Sequence, residues 1–421
     1  MKKRQDQIDR RSFIKTVGAA GLGSVIASAN LTAGPNEPNA PEKAKKPVLP
    51  QVARRKLGKL TELDKDGKEI PLEVSELSLG TMFDVMENQA ALRECLKWGV
   101  TYWDTAHSYS GGLSELGIGK FLSRNPQIRK KLFIVSKASG TKNVGEIEQW
   151  LQESLKRMNI DYVDLYYGIH GLSDPAELTA EPKKWAESAK KRKLIRYFGF
   201  STHKNMAPCL MAAAKLDWID AILTKYNFRE MQNPKMQAAI DACYKAGVGL
   251  TAMKTIRGQK IETEEDKRLT EHFIKRGFTA AQAKVKVVLE DKRISSVSVG
   301  RGNVEQLRLN IAAALDKNKL SAEDMKVFRE VAQATCSGYC AGCASICENA
   351  LPDMPYVSDI MRYLMYHDNY GEKETARELF AGIPARTRSR LLSTDYSLAE
   401  ARCPQHMPIA RLMAEAVSKL A

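Results

Sequence analysis

Short apolar runs alternate with longer amphipathic stretches along most of the chain. Between the runs, segments 87–99, 144–159 and 233–247 repeat their apolar residues at helical spacing. The runs themselves have the length and the β-branched and aromatic composition of buried strands. They cover residues 73–81, 101–106, 132–138, 162–170, 195–202, 221–227, 248–255 and 294–300.

This alternation predicts the fold class. Strands that are each followed by a helix, eight times over about 250 residues, describe a (β/α)8 TIM barrel. An open doubly wound sheet is the alternative, but it needs a glycine-rich nucleotide loop after its first strand. The sequence has no such fingerprint there. The sequence therefore predicts an α/β fold built on a (β/α)8 barrel.

From about residue 320 the pattern changes, because clean strand signals stop and cysteines and helical segments take their place. Segments 356–367, 372–382 and 408–421 have helical spacing. We therefore predict a C-terminal, mainly helical domain after the barrel. The predicted parts are a targeting segment (1–29), a flexible linker (30–50), the barrel (51–320) and the helical domain (321–421).

The net charge of +15 is concentrated at the N-terminus. Residues 1–56 hold twelve Lys and Arg against four Asp and Glu, which is 12 − 4 = +8. The remainder has no basic patch interleaved with aromatic residues and no recognition-helix pattern, which argues against a nucleic-acid-binding protein. The charge is better explained by a basic targeting segment and a solvated surface.

The first residues have the layout of an export signal. Arg10 and Arg11 precede Ser-Phe-Ile-Lys, and an apolar stretch at 16–29, too short to span a bilayer stably, ends in Ala27-Ser28-Ala29. This arrangement resembles a bacterial twin-arginine (Tat) signal, which exports folded proteins. An ordinary secretory signal with a chance arginine pair is the alternative. We expect a protein that is periplasmic or otherwise exported, with the Tat machinery as a partner and no stable membrane span.

Four polar residues lie at or just beyond predicted strand ends: Asp104, Tyr109, Lys137 and His170. Side chains at the C-terminal ends of barrel strands converge on one mouth. A tyrosine with its ordinary pKa of about 10 is a weak acid at neutral pH. A neighbouring lysine favours the phenolate and lowers that pKa, and a carboxylate holds the lysine in place. The tetrad therefore predicts a general acid that acts on a substrate oxygen.

Residues 51–315 resemble the aldo/keto reductase family. The resemblance rests on GVTYWDTAHSYSGGLSELGIGKFL at 99–122 and on Lys137 and His170 after the next two strands. It implies that Tyr109 protonates a carbonyl as hydride arrives from a nicotinamide. Lys137 would depress the pKa of Tyr109 and Asp104 would pair with Lys137, while His170 orients the carbonyl or relays a proton. The implied reaction is reduction of a carbonyl or oxidation of an alcohol, with a sugar-like substrate as one option.

The same resemblance implies a nicotinamide cofactor, NADP or NAD. Thr202 stands where the family has asparagine, and Leu223 stands where it has glutamine. Arg301 is suited to a 2′-phosphate, which would favour NADP; a surface role for this arginine is the alternative. The implied contact residues are Ser201, Thr202, Tyr226, Lys254, Gly300, Arg301, Asn303, Gln306 and Asn310.

Five of the eight cysteines lie near the C-terminus: Cys336, Cys340, Cys343, Cys347 and Cys403, the last followed by proline. Their C-x3-C-x2-C-x3-C spacing with a distant Cys-Pro resembles a bacterial ferredoxin motif with one residue inserted. The resemblance implies one 4Fe-4S cluster held by Cys340, Cys343 and Cys403, with Cys336 or Cys347 as the fourth ligand.

Three other uses of these cysteines stay open. Four thiolates would also suit zinc, although the Cys-Pro context does not. Disulfides are the default in an exported chain, but cysteines this close together in sequence would cross-link only a small part of it. The first three cysteines match the spacing of radical enzymes that use S-adenosylmethionine, whose motif follows the first barrel strand instead.

The leading hypothesis is an exported aldo/keto reductase-like oxidoreductase with one iron–sulfur cluster. Its electrons would come from a nicotinamide nucleotide, from the cluster, or from both, and an electron-transfer partner would be needed in the last two cases. A non-catalytic redox-sensing or subunit-like barrel is one alternative. The same barrel with a structural zinc tail is the other.

Overall fold

The computed structural model describes residues 49–256, 264–300 and 303–421. The predicted targeting segment, nearly all of the predicted linker and Arg301 lie outside these residues. A two-stranded antiparallel hairpin, β1 (Arg54–Leu63) and β2 (Glu69–Ser75), comes first. Eight parallel strands then close a barrel in chain order. They are β3 (Leu77–Gly80), β4 (Tyr102–Asp104), β5 (Phe133–Lys137), β6 (Val163–His170), β7 (Ile195–Thr202), β8 (Ala221–Lys225), β9 (Gly249–Met253) and β10 (Ser296–Gly300).

The predicted (β/α)8 barrel is confirmed, and every predicted strand contains one of β3 to β10. Helices follow the strands and cover the barrel, because each presents an apolar face to the outward side chains of the sheet. In chain order they are α1 (Gln89–Lys97), α2 (Leu113–Arg124), α3 (Val144–Met158), α4 (Ala180–Lys191), α5 (Met206–Ala213), α6 (Pro234–Ala246), α7 (Glu264–Lys275), α8 (Ala280–Leu289) and α9 (Val304–Leu315).

The hairpin closes the end of the barrel opposite its mouth. Leu57, Leu60, Leu72 and Val74 belong to one buried apolar cluster with side chains of the barrel strands, including Tyr102. Burying this cluster removes from water the apolar surface that an open barrel end would expose. The hairpin was not predicted from the sequence: β1 was missed, and the predicted strand at 73–81 covers only the end of β2. The Asp-Gly pair at 66–67 is nevertheless a strong hairpin signal.

The C-terminal segment (residues 321–421) is helical in the structure, as predicted. Its helices enclose an apolar cluster of their own, which contains Ile360, Phe380 and Met413. Residues 51–421 nevertheless form a single compact unit. The helices are α10 (Ala322–Ala334), α11 (Ala344–Glu348), α12 (Val357–Met365), α13 (Lys373–Ala381), α14 (Ala385–Arg388), α15 (Ser397–Arg402) and α16 (Ile409–Leu420), with a π-helical turn at Tyr366–Tyr370.

The C-terminal segment docks on the barrel mouth, the rim formed by the C-terminal strand ends. Gly342 lies closest: its carbonyl accepts a hydrogen bond from the Asn205 amide at 2.7 Å. A Cβ atom on Gly342 would lie 2.3 Å from the carbonyl oxygen of His203, and its φ is +80°. Only glycine fits such an approach without strain. Within the described residues, no helix is long and apolar enough to cross a membrane.

Candidate active site

Lys137 connects two other members of the predicted tetrad, Asp104 and Tyr109, at the mouth. Its Nζ lies 2.8 Å from Asp104 Oδ1 and donates hydrogen bonds to Tyr109 Oη at 3.2 Å and to the Thr105 carbonyl at 2.6 Å. The parallel pairing of β4 with β5 brings the ends of both strands to one rim. The side chains of Lys137 and Asp104 are only 1% and 5% exposed, so the ion pair lies in a low-dielectric site.

Tyr109 reaches this lysine because the loop after β4 turns sharply. Tyr109 is the first residue of a short 3-10 turn, Tyr109–Gly112, in which Ser110 and Gly111 have φ values of 49° and 61°. A left-handed conformation is uncommon for serine and marks a backbone that its surroundings hold in place. Behind the turn, Arg157 donates to the His107 carbonyl at 2.8 Å and lies 3.2 Å from the buried Glu115 carboxylate. These contacts hold the chain on both sides of the turn that carries Tyr109.

The environment of Tyr109 only partly matches the expected electrostatics. Lys137 acts to lower the pKa of Tyr109, as predicted. Burial has the larger effect in the opposite direction, and Asp104 adds to it, so the pKa is raised above its ordinary value. The expected net depression is therefore wrong for this closed arrangement. A phenol that keeps its proton at neutral pH is nevertheless a proton donor.

His170 ends β6 beside Ser201 of β7, on the same rim. Burial lowers the pKa of His170 to about 3, and the Lys137 ammonium contributes to the shift. The imidazole is consequently neutral at physiological pH and can donate or accept a hydrogen bond without carrying charge. For Lys137, burial acts to lower the pKa, but Asp104 and Tyr109 together raise it, so the amine stays charged.

The residues predicted at the nicotinamide end are present, but their polar groups are engaged within the protein. Ser201 Oγ accepts from the Gly171 amide at 3.1 Å. Thr202 Oγ1 donates to the Leu172 carbonyl at 2.7 Å and contacts the Lys204 carbonyl at 2.9 Å. The Tyr226 ring is fully buried, and its hydroxyl donates to Asp291 at 2.7 Å. The structure does not bring Tyr226 to the mouth.

The alternation of β8 explains the position of Tyr226. Leu223 belongs to the cluster inside the barrel, and Lys225 reaches the Cys340 carbonyl at the mouth, at 2.9 Å. Successive side chains of a strand point to opposite faces. Tyr226 therefore faces the helix layer, one position beyond an inward residue.

The residues predicted at the adenosine end surround the junction of β10 and α9. Gly300 is exposed and pairs with Gly80 of β3. Asn303 caps α9, its side chain accepting from the Glu305 amide at 2.8 Å. Gln306 is exposed on the helix, whereas Asn310 is buried.

The C-terminal segment brings several side chains to the mouth that were not predicted from the sequence. A pocket that opens partly to solvent, the seam cavity, lies between the barrel and this segment. Tyr366 lies beside it and accepts a hydrogen bond from Lys254 Nζ at 3.0 Å. Lys254 itself has a φ of +59°. The basic and aromatic residues that line the cavity are His203, Lys204, Lys225, Lys254, Tyr339 and Arg362.

A second cavity lies within the C-terminal segment. Four cysteines from separate turns line it: Cys340, Cys343, Cys347 and Cys403. Cys336 lies outside, in a turn at 336–338 near Arg229. Burial raises the pKa of the Cys343 and Cys347 thiols to about 12. Within the part of the chain that the structure describes, no three His, Cys, Asp or Glu side chains converge closely enough to hold a metal ion.

Comparison with known proteins identifies the barrel. The sequence model of the aldo/keto reductase family matches residues 76–333. The chain belongs to the aldo/keto reductase family. It is an oxidoreductase that acts on carbonyl and alcohol groups.

Individual relatives resemble the barrel and not the whole chain. An aldo-keto reductase yakc [NADP(+)] of Schizosaccharomyces pombe is 33% identical over 37% of this chain and 48% of its own length, so the match spans about half of that relative. An L-glyceraldehyde 3-phosphate reductase of Escherichia coli O157:H7 is 26% identical over 60% of this chain and 88% of its own. The holo form of aldo-keto reductase AKR11C1 from Bacillus halodurans shares the fold, with a TM-score of 0.52 and 22% identity over 67% and 96% of the two chains.

Proposed function

We propose that the protein interconverts a carbonyl and an alcohol at the barrel mouth, with Tyr109 as the proton donor in the reducing direction. One observation carries the proposal: Lys137 Nζ lies 3.2 Å from the Tyr109 hydroxyl and 2.8 Å from Asp104. Tyr109 gives its proton to the carbonyl oxygen, and the adjacent ammonium stabilises the phenolate that remains. Neutral His170 orients the same oxygen by a hydrogen bond. In the oxidising direction the proton returns to Tyr109.

NADP is the nucleotide we propose, because the Schizosaccharomyces pombe relative is named for NADP(+). The nucleotide supplies or accepts hydride when bound. At the adenosine end, the exposed Gly300 followed by the Asn303-capped start of α9 fits a phosphate group. At the nicotinamide end, the Thr202 hydroxyl already donates within the protein and does not fit the family's carboxamide contact. Ser201 Oγ only accepts a hydrogen bond, so its hydroxyl can still donate to a carboxamide.

We further propose that the C-terminal segment holds one 4Fe-4S cluster through Cys340, Cys343, Cys347 and Cys403. The support is that these four thiols, and not Cys336, line one cavity. A single zinc ion needs sulfurs about 2.3 Å from one point. No three of the described His, Cys, Asp and Glu side chains converge on such a point. A polynuclear cluster needs space between its thiolates, and it would supply one-electron transfer.

The cysteine cavity and the seam cavity share a wall, because Cys340 lines both. This contact supports an electron path between the cluster loop and the barrel mouth, with an external electron partner at the far side.

Cys347→Ser and Cys403→Ser should each lower the iron and sulfide content of anaerobically purified protein, whereas Cys336→Ser should retain both. Equal iron loss in Cys336→Ser would contradict this ligand set.

Export remains part of the proposal and rests on the sequence alone. Replacing Arg10 and Arg11 by lysine should leave the protein in the cytoplasmic fraction, while the parent chain is recovered outside it. Recovery of both proteins from the same compartment would reject the Tat assignment.

Tyr109→Phe tests the catalytic assignment because it removes only the hydroxyl. We expect kcat/KM across a panel of carbonyls and alcohols to fall by about 10²–10⁴-fold, which is the usual contribution of a general acid. Tyr244→Phe is the matched control, since Tyr244 is an exposed tyrosine on α6. Unchanged turnover in Tyr109→Phe would overturn the proposed role.

A further inference from the structure

The seam cavity collects basic side chains from both parts of the protein. Lys204, Lys225 and Lys254 follow or end the barrel strands β7, β8 and β9. Arg362 comes from α12 of the C-terminal segment. Such a concentration of like charge in a partly enclosed site raises the electrostatic free energy unless carboxylates or a ligand balance it.

Carboxylates balance only part of this charge. Lys204 lies 2.8 Å from Asp359 and 3.3 Å from Glu348, and Arg362 shares Asp359 at 2.8 Å. Lys225 lies 3.2 Å from Glu230. Four cations thus face three carboxylates. Lys254 has no carboxylate partner among the described residues, and its hydrogen bond is to the Tyr366 hydroxyl.

Two nitrogen atoms on the wall of this cavity are buried without a hydrogen-bond partner. They are Arg362 Nε and His203 Nδ1. An arginine Nε always carries a hydrogen and can only donate, so it requires an acceptor. Buried donors without a partner are rare in native structures, and each one suggests a group that completes it. A ligand with acceptor oxygens would complete Arg362 Nε, and it would also complete His203 Nδ1 in the tautomer that carries the proton on this nitrogen.

The seam cavity adjoins the reacting groups. His170 pairs in register with Ser201 of β7, two residues before His203 of the cavity wall. Arg362 of the same wall and Lys137 both act to lower the pKa of His170, and Tyr366 acts to raise that of Tyr109. Burial lowers the pKa of Lys254, and the like charges of Arg362 and Lys225 add to the effect. An anion beside Lys254 would relieve this repulsion. The cavity therefore continues the site in which Tyr109 meets its substrate.

We propose that the seam cavity binds a carboxylate or phosphate group of the substrate through Arg362 and Lys254, while Tyr109 acts on an oxo or hydroxy group of the same molecule. The substrate class is then an acidic hydroxy or oxo compound. This inference deepens the proposed function and rests on it. It assigns a specificity role to a segment that lies outside the barrel.

Direct binding tests the inference without turnover. Calorimetric titrations of the full-length protein would use inorganic phosphate and gluconate, with glucose as the uncharged match for gluconate. We expect phosphate and gluconate, but not glucose, to bind, and Arg362→Gln to weaken both by about tenfold or more, as for the loss of a charge-assisted hydrogen bond. Lys254→Met is the second variant, and Lys183→Gln, on an exposed ion pair, is the control.

Each outcome bears on a different part of the proposal. Phosphate binding that persists with saturating NADP supports a substrate subsite, whereas competition by NADP assigns the cavity to the nucleotide and overturns the inference. Equal binding by wild type and Arg362→Gln, with circular dichroism showing both folded, overturns it as well. Tyr109→Phe should bind phosphate normally even though it loses turnover. Failure of the proposed catalytic role is therefore distinguishable from failure of the anion site.

Discussion

Two tyrosine–lysine pairs meet at the mouth of this barrel, and only one of them belongs to the barrel alone. In the barrel pair, Lys137 lies 3.2 Å from Tyr109 and also 2.8 Å from Asp104. In the seam pair, Lys254 of the barrel lies 3.0 Å from Tyr366 of the C-terminal segment. No carboxylate pairs with Lys254 among the residues that the structure describes.

The two pairs shift their tyrosines in opposite directions. Burial raises the pKa of Tyr109, and Asp104 offsets part of the lowering by Lys137. For Tyr366 burial also acts to raise the pKa, but Lys254 and Arg362 together outweigh it and lower the pKa. Asp359 opposes these two cations only in part. The balance of neighbouring charges therefore sets the direction of each shift: one lysine and a carboxylate act on Tyr109, whereas a lysine and an arginine act on Tyr366. Groups whose pKa values are pushed apart in one site suit opposite roles as acid and base.

Lys137→Met should have the largest effect on this comparison. It leaves the Asp104 carboxylate buried without its ammonium, and breaking a buried pair from one side costs about 3–5 kcal/mol. The free energy of unfolding, measured with urea, should fall by that amount, and turnover should fall with it. A loss no larger than that of Lys254→Met would show that the two lysines are equivalent and would remove the distinction between the pairs.

The pH dependence of stability should separate the tyrosines next. The folded pKa of Tyr366 is depressed, so its stabilising effect is complete above its unfolded pKa of about 10 and is lost as pH falls through the folded value. The folded pKa of Tyr109 is raised, so its contribution is complete below about pH 10 and is lost as pH rises through the folded value.

Urea unfolding near neutral pH, at about pH 10 and at about pH 11 would therefore move the variants apart. Relative to wild type, Tyr366→Phe should become less stable as the pH rises, and Tyr109→Phe should become relatively more stable at still higher pH. The exposed Tyr244→Phe should follow wild type throughout. Parallel curves for Tyr109→Phe and Tyr366→Phe would contradict the opposite shifts.

The barrel pair could be predicted from sequence because its signals are local. Asp104, Lys137 and His170 each end a strand, and a closed parallel barrel brings strand ends together whatever the details of packing. The same reasoning failed for Tyr226. Tyr226 follows the end of β8, as expected, but the alternation of side chains along β8 places its ring on the outer face of the barrel. The inward position of Lys225 in the structure reveals which side chains of β8 face inward.

The seam pair could not be predicted in this way. Tyr366 and Arg362 lie on an amphipathic segment whose sequence also suits ordinary helix packing. Their role depends on how the C-terminal segment docks on the barrel. Contacts between residues far apart in sequence, such as Gly342 against His203, determine that docking. The fourth cysteine at the second cavity was ambiguous for a related reason, since spacing alone allowed Cys336 or Cys347 and the turn geometry brings in Cys347.

Lys254→Met should have the smallest effect on stability and the most informative effect on Tyr366. Burying a lysine without a carboxylate gains little, so the free energy of unfolding should change by no more than about 1 kcal/mol, since only a net hydrogen bond is lost. Methionine keeps the length of the side chain and is not β-branched, so it adds no new restriction at a φ of +59°. With the ammonium gone, burial should raise the pKa of Tyr366 towards that of Tyr109. The pKa of Tyr366 is obtained from the difference in tyrosinate absorbance between Lys254→Met and the double variant Lys254→Met/Tyr366→Phe as pH rises. A Tyr366 pKa unchanged from wild type would mean that Arg362 alone lowers it.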